Sequence, residues 1–346
     1  MTEGHTATTL VLDAMGGDHA PDAPVEGALR LSLEERSPRI LLVGDTEKLT
    51  AILGKTPHDA RNLEIVHAPD FVPMDADPRE ALAALPRASI VVAAELVKEG
   101  RGDALVSAGN TGGVTLACAR TLPRIAGVQR CALGAVFPTE RRRGEKSDPF
   151  SLILDAGLTL EVGAEELVSF AIMGAAYSAR ISKNPHPAVA LLSNGSEPTK
   201  GTSAIVEAHA RLKDHPGIRF VGNVEGTDIP KGTADVIVTG GFVGNVVLKM
   251  LEGIAETVMN LGRYAYSQSL RNKAGLALLA PAVRQLKQAT DWEEYGGAPL
   301  LGFERPCIKA HGRSSARAVG NALKVASKAV RSGLCEAIAA GVAGAR

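Results

Sequence analysis

The chain has 346 residues, 45% of them hydrophobic, with Lys+Arg and Asp+Glu both at 38 and aromatics at only 3%. That length and apolar content support a sizeable core and exclude a disordered or fibrous chain, while balanced charge and few stacking rings argue against a nucleic-acid partner. The N-terminus, Met1-Thr2-Glu3-Gly4-His5, has no basic stretch leading into an apolar one, and no apolar run approaches the ~20 residues that span a bilayer, so a cytoplasmic protein is expected. Cys118, Cys131, Cys307 and Cys335 form no Cys-x-x-Cys pair, and the histidines show no His-Glu-x-x-His spacing. Reduced, mostly buried thiols and no metal or other cofactor are therefore expected.

The first predicted strand, Thr9–Leu12, ends at Asp13 and is followed by Gly16-Gly17-Asp18, with a helix start at Asp22-Ala23-Pro24. Gly16 and Gly17 are expected to take positive φ and bring backbone N–H groups close to a ligand; an acid-capped strand-to-helix turn is the plainer alternative. Further short aliphatic or β-branched runs occur at Ile40–Val43, Leu63–His67, Ala104–Ser107, Cys131–Phe137, Leu152–Leu154, Ala188–Leu192, Arg219–Val221 and Val236–Thr239. They alternate with helix-length amphipathic segments, and most end in Gly, Asn or Asp. This predicts a three-layer α/β/α fold with a largely parallel sheet and a cleft at the strand C-terminal ends, built as one unit over 1–346 or as two lobes around that cleft.

Ser107-Ala108-Gly109-Asn110-Thr111-Gly112-Gly113 opens a predicted helix at Val114–Arg120, where backbone N–H groups and the Asn110 and Thr111 side chains form a natural anion site or simply a helix cap. The mixed-charge run Glu140–Asp148 reads as a solvated hairpin or loop, with an anion or carrier-protein contact as the alternative. Ser193–Thr202 precedes a helix at Ala204–Leu212; its Lys200-Gly201-Thr202 order is not that of a phosphate-binding P-loop, although a lysine beside a helix start can still hold phosphate as a point charge. Thr239-Gly240-Gly241 lacks the Gly-x-Gly-x-x-Gly spacing of a dinucleotide site. Residues Ser269–Gln288 place Leu276, Leu278 and Leu279 at a small-residue tip and Leu279, Val283 and Leu286 at helical spacing, flanked by Arg271, Lys273, Arg284 and Lys287. This basic amphipathic hairpin, over 265–290, would lie on an anionic membrane or against a second subunit. His311, at the end of a short strand and before a helix, could donate to a phosphate or carbonyl oxygen or be structural.

Taken together, Leu12–Pro21, Ser107–Gly113, Ser193–Thr202, Val221–Gly226, Ala234–Lys249, Tyr295–Gly302 and His311-Gly312-Arg313-Ser314 resemble the PlsX family, the acyl-[acyl-carrier-protein]:phosphate acyltransferases, from residue 9 to about 330. The resemblance implies an isocitrate/isopropylmalate dehydrogenase-like fold. It also implies transfer of a fatty acyl group from acyl carrier protein to inorganic phosphate, for phospholipid synthesis. Phosphate positioning falls to Asn110, Thr111 and Gly112 with Lys200, and stabilisation of the oxyanion or leaving thiolate to His311. Asp13 and Asp18 would shape the loop or orient a cationic donor, and Gly16, Gly17, Gly201, Asn245 and Ser314 would contact substrate. The expected partners are acyl carrier protein, phosphate, a membrane surface, a second copy of the chain and a downstream acyl-phosphate:glycerol-3-phosphate acyltransferase. Two departures stand out: Asp155-Ala156 leads into Gly157-Leu158-Thr159 where the family has Gly-Ala-Asn, and Gly240 replaces the acid of its Val-Thr-Asp-Gly-Phe. A phosphate acetyltransferase-like enzyme using acyl-coenzyme A and a non-catalytic carrier-protein-binding homologue are the alternatives.

Overall fold

The computed structural model describes residues 8–143, 148–289 and 295–344. Eleven strands are described: β1 Thr9–Asp13, β2 Arg39–Gly44, β3 Leu63–His67, β4 Ala104–Ser107, β5 Ala132–Arg143, β6 Asp148–Leu154, β7 Ala188–Leu192, β8 Arg219–Val224, β9 Val236–Val238, β10 Ala298–Leu301 and β11 Cys307–Lys309. Between them lie α1 Asp22–Ser32, α2 Thr46–Leu53, α3 Pro78–Ala84, α4 Ser89–Lys98, α5 Thr111–Thr121, α6 Ala164–Tyr177, α7 Ser203–Lys213, α8 Asp228–Lys231, α9 Gly241–Gln268, α10 Leu270–Ala289, α11 Ala316–Arg331 and α12 Leu334–Gly344.

One sheet holds all these strands, in the order β3-β2-β1-β4-β11-β10-β5-β6-β9-β7-β8. The nine expected strands are present, and the short β10 and β11 complete the sheet. Alternating side chains serve both faces, as a doubly covered sheet requires. Leu10, Leu12 and Val106 pack with Leu29 of α1 and Leu323 of α11, while Val11 and Leu105 pack on the other face with Val97 of α4 and Val114 of α5. In the second half, Val189, Leu191, Val236 and Val238 meet Phe170 of α6, and Ala190, Leu192 and Ile237 meet Ile229 of α8. Burial of each such Leu, Val, Ile or Phe side chain contributes about 1.5–3 kcal/mol.

β3, β2, β1, β4 and β11 run parallel, and so do β6, β9, β7 and β8. β10 and β5 join the two blocks through three antiparallel pairings, so the blocks point in opposite directions. Strand direction therefore sends the exits of β1, β4 and β11 to one edge of the sheet and those of β6, β9 and β7 to the other. Helix α9 links the two sets. Its first turn packs so tightly on the end of β6 that a Cβ at Gly244 would lie 1.9 Å from the Asp155 carbonyl oxygen. Some two turns on, Lys249 and Glu252 come within electrostatic reach of His311, just past β11.

Several local expectations change. Helix α1 starts at Asp22, but Pro21 is the cap position and no side chain caps it, so Asp22 is a first-turn acid favoured by the helix dipole rather than a cap. The charge run does form a hairpin, with Arg143 paired to Asp148; residues 144–147 lie outside the described residues. Ser269–Gln288 holds no hairpin tip: Ser269 is an extended residue after α9, and Leu276 sits within the continuous helix α10. The reason is composition: the Lys273–Leu279 stretch is rich in Ala and Leu, which favour helix over a turn. No helix among the described residues is long and apolar enough to cross a membrane.

Candidate active site

Asp13, at the end of β1, is 2% exposed. Its Oδ1 accepts from Ser89 Oγ at 2.6 Å and the Met15 N–H at 3.3 Å, and its Oδ2 accepts from Ser107 Oγ at 2.6 Å. Burial nevertheless pushes its carboxyl above the usual range, against those hydroxyl bonds. The carboxylate thus joins β1, α4 and β4, and the turn after β4 is fixed beside it.

The glycine pair divides the work differently from the expected pattern. Gly17 takes φ +113, whereas Gly16 is needed for close approach, since a Cβ there would lie 2.7 Å from the Gly109 nitrogen. Asp18 donates its N–H to the Gly312 carbonyl at 2.8 Å, which seats the β1–α1 loop on the turn after β11. Three loops, after β1, β4 and β11, therefore meet at one place.

Asn110 caps α5, the plainer of the two readings of this turn, its Oδ1 accepting the Gly113 N–H at 3.0 Å. Its amide nitrogen is also engaged, donating to the carbonyls of Met74 at 2.9 Å and Ala76 at 3.3 Å. Both donors and the acceptor are used in folding, so the side chain holds the 74–76 segment on the helix start; the anion-receptive groups that remain there are the first-turn N–H groups of Thr111 and Gly112. Thr111 is exposed at that start.

His311 is half-buried, and its Nδ1 accepts the Arg313 N–H at 3.3 Å, which places the ring proton on Nε2. Burial, then the nearby Lys309 charge, lowers its pKa, so the neutral donor form is favoured near pH 7. Ser314 is buried beside it, and its hydroxyl has no partner among the described residues.

Lys200 and Gly201 stand on the exposed loop between β7 and α7, where α7 is capped by Thr202. The Lys200 side chain lies along Gly195, and no described contact joins it to Asn110 or His311. Asn223 of β8 steadies this loop by donating to the Glu197 carbonyl at 2.9 Å, and His209 of α7 bonds Asn223 in turn at 3.0 Å. Asn245, on the first turn of α9, lies against Gly157.

The two family departures lie together. Buried Asp155 accepts from the N–H groups of Leu133, Gly157, Leu158 and Thr159 and from the Thr159 hydroxyl. Thr159 Oγ1 also accepts the Gly241 N–H at 2.9 Å, so this threonine fastens the loop after β6 to the start of α9. At Gly240 a Cβ would sit 3.0 Å from Val162 Cγ2.

Lys309 of β11 escaped sequence reasoning, as did Ser89. Lys309 is 7% exposed and donates to the carbonyls of Ala108, at 3.3 Å, and Ala310. Its signal was a lone cation in the apolar string Cys307-Ile308-Lys309-Ala310, two residues before His311; Ser89 had none. Leu279 is exposed on α10, as is Leu278 at 84%, while the side chains of Leu276 and Val283 lie outside the described residues. The cysteines are distant in sequence but close enough to influence one another: burial pushes the Cys131 and Cys335 thiols up to about 12, and Cys307 is raised by Cys118 and by burial. Cys131, Cys307 and Cys335 are therefore protonated thiols, not nucleophiles.

The fold is shared with acyl- and phosphate-handling enzymes. A phosphotransacetylase from Streptococcus pyogenes superposes with a TM-score of 0.61 at 16% identity over 94% of each chain. A 4-hydroxythreonine-4-phosphate dehydrogenase from Klebsiella pneumoniae superposes at 0.50 and 14% identity, over 94% of this chain and 100% of that one. At those identities the likeness establishes the fold alone. Sequence is more specific: residues 8–337 match the family described as "Fatty acid synthesis protein". A relative from Myxococcus xanthus, named phosphate acyltransferase, is 44% identical over 92% of this chain and 88% of its own. The chain belongs to that family, the PlsX family, and is an acyltransferase.

Proposed function

We propose that the chain transfers a fatty acyl group from acyl carrier protein to inorganic phosphate, releasing acyl phosphate and the carrier thiol for phospholipid synthesis. Membership of a family with curated relatives named phosphate acyltransferase carries this reading. A phosphate oxygen attacks the thioester carbonyl, a tetrahedral oxyanion forms, and the thiolate leaves; no covalent enzyme intermediate is needed. Phosphate is already anionic, so catalysis is chiefly placement and oriented donors. The Thr111 and Gly112 N–H groups and the Ser314 hydroxyl, which has no partner among the described residues, are suited to hold phosphate oxygens, and His311 Nε2–H to donate to the oxyanion or thiolate. Lys200 would bring its charge to phosphate from the far block, and Asn110 holds the receptive helix start.

The exposed apolar residues Val246, Met250, Ile254, Val258 and Leu261 repeat at helical spacing on α9, which runs about 42 Å. We assign this face to a second subunit, and exposed Leu279 with Arg271 and Lys273 to the surface of an anionic membrane, giving a cytoplasmic homodimer peripherally bound to lipid. A downstream acyl-phosphate:glycerol-3-phosphate acyltransferase would take the product there.

The test is incubation with phosphate and either acyl-[acyl-carrier-protein] or acyl-coenzyme A, with hydroxylamine trapping of acyl phosphate. Product from the carrier thioester supports the reading; product from coenzyme A alone makes the enzyme phosphate acetyltransferase-like, and product from neither refutes the reaction.

A further inference from the structure

The acyl-transfer site rests on a buried cation that no role above uses. Lys309 lies at the end of β11, beneath the point where the loops after β1, β4 and β11 meet, and its ammonium donates to Ala310 in its own turn and to Ala108, 201 positions earlier, in another. An ammonium is costly to bury, and an apolar side chain of similar length would fill the space without that cost. The charge is matched by Asp13 on β1, itself held by Ser89 and Ser107, and by Asp18 on the rim of the same loop.

We propose that Lys309 is a positioning residue for acyl transfer: its ammonium ties the turn that opens α5 to the turn that carries His311 and Ser314, fixing the spacing between the phosphate-holding amides and the imidazole. This rests on the proposed reaction. The Ala108 carbonyl stands two residues before Asn110, and the Ala310 carbonyl joins directly to His311, so the two donated bonds act on both halves of the donor set. The cation also sits where its field favours an arriving anion.

The readout is a pH profile. Burial lowers the Lys309 pKa to about 8, with Asp13 and Asp18 opposing the shift; the other titratable group facing it is His311, whose own pKa is lowered and therefore falls on the acid side. Wild-type kcat, measured by hydroxylamine trapping, should fall as Lys309 loses its proton above about pH 8. Lys309→Arg, which keeps its charge, should move that alkaline limb up by about one pH unit or more. Lys309→Met should lower kcat between about 10- and 100-fold at pH 7 with a smaller change in KM. A wild-type kcat that stays flat into the alkaline range with the fold intact overturns the proposal. So does an alkaline limb shared by wild type and Lys309→Arg, or a folded Lys309→Met protein with wild-type kcat. If Lys309→Met does not fold, the first two profiles decide. A wild type that forms no acyl phosphate at any pH fails at the reaction itself and removes this assignment with it.

Discussion

Replacing Asn110 with Ala separates holding a helix from touching a substrate. The substitution removes the α5 cap at 3.0 Å and the two bonds to Met74 and Ala76. A lost Asn cap costs about 1 kcal/mol, and each net backbone bond a further ~1 kcal/mol, so a loss of about 2–3 kcal/mol is expected, the pair sharing one segment and adding less than fully. Asn110→Asp keeps an acceptor for Gly113, favoured by the helix dipole, but loses both amide donors, so it should recover only the cap. Urea unfolding followed by circular dichroism gives both values, with phosphate kinetics on the same samples. Stability within about 0.5 kcal/mol of wild type in Asn110→Ala, together with lost turnover, would refute the reasoning and return the side chain to phosphate contact.

Thr159→Val, nearly isosteric, strands the Gly241 N–H and removes a hydroxyl bond to Asp155; about 3 kcal/mol of stability should be lost in chemical denaturation and regained in Thr159→Ser. Lys309 also sets a slope in stability against pH. With its folded pKa lowered to about 8 from 10.5, the unfolded chain binds the extra proton between those values, so this group makes stability rise with pH across that window, and Lys309→Met should remove that component in denaturant titrations at pH 8 and 10. Leu279→Glu should abolish co-sedimentation with anionic vesicles while solution turnover persists; dissociation of an oligomer with vesicle binding intact would instead make α10 a subunit contact.

What the sequence determined by itself was local. Hydrophobic runs of strand length, the helices that follow Ser107–Gly113 and Ser193–Thr202, and the glycines after β1 are governed by propensity and capping within a few residues, so they were readable in order along the chain. The family motifs likewise marked Asp13, His311 and Ser314. Tertiary structure decided what those residues do. Asn110 has the composition of an anion ligand, but carbonyls more than thirty positions away take its donors. The pairing of β10 and β5 reverses one block of the sheet relative to the other, and only the course of α9 brings Lys249 back toward His311. Lys309 comes within electrostatic reach of Asp13 because β1, β4 and β11 lie side by side, a neighbour relation set by sheet order and backbone hydrogen bonding; no periodicity in one sequence records it, because the two residues are separated by most of the chain.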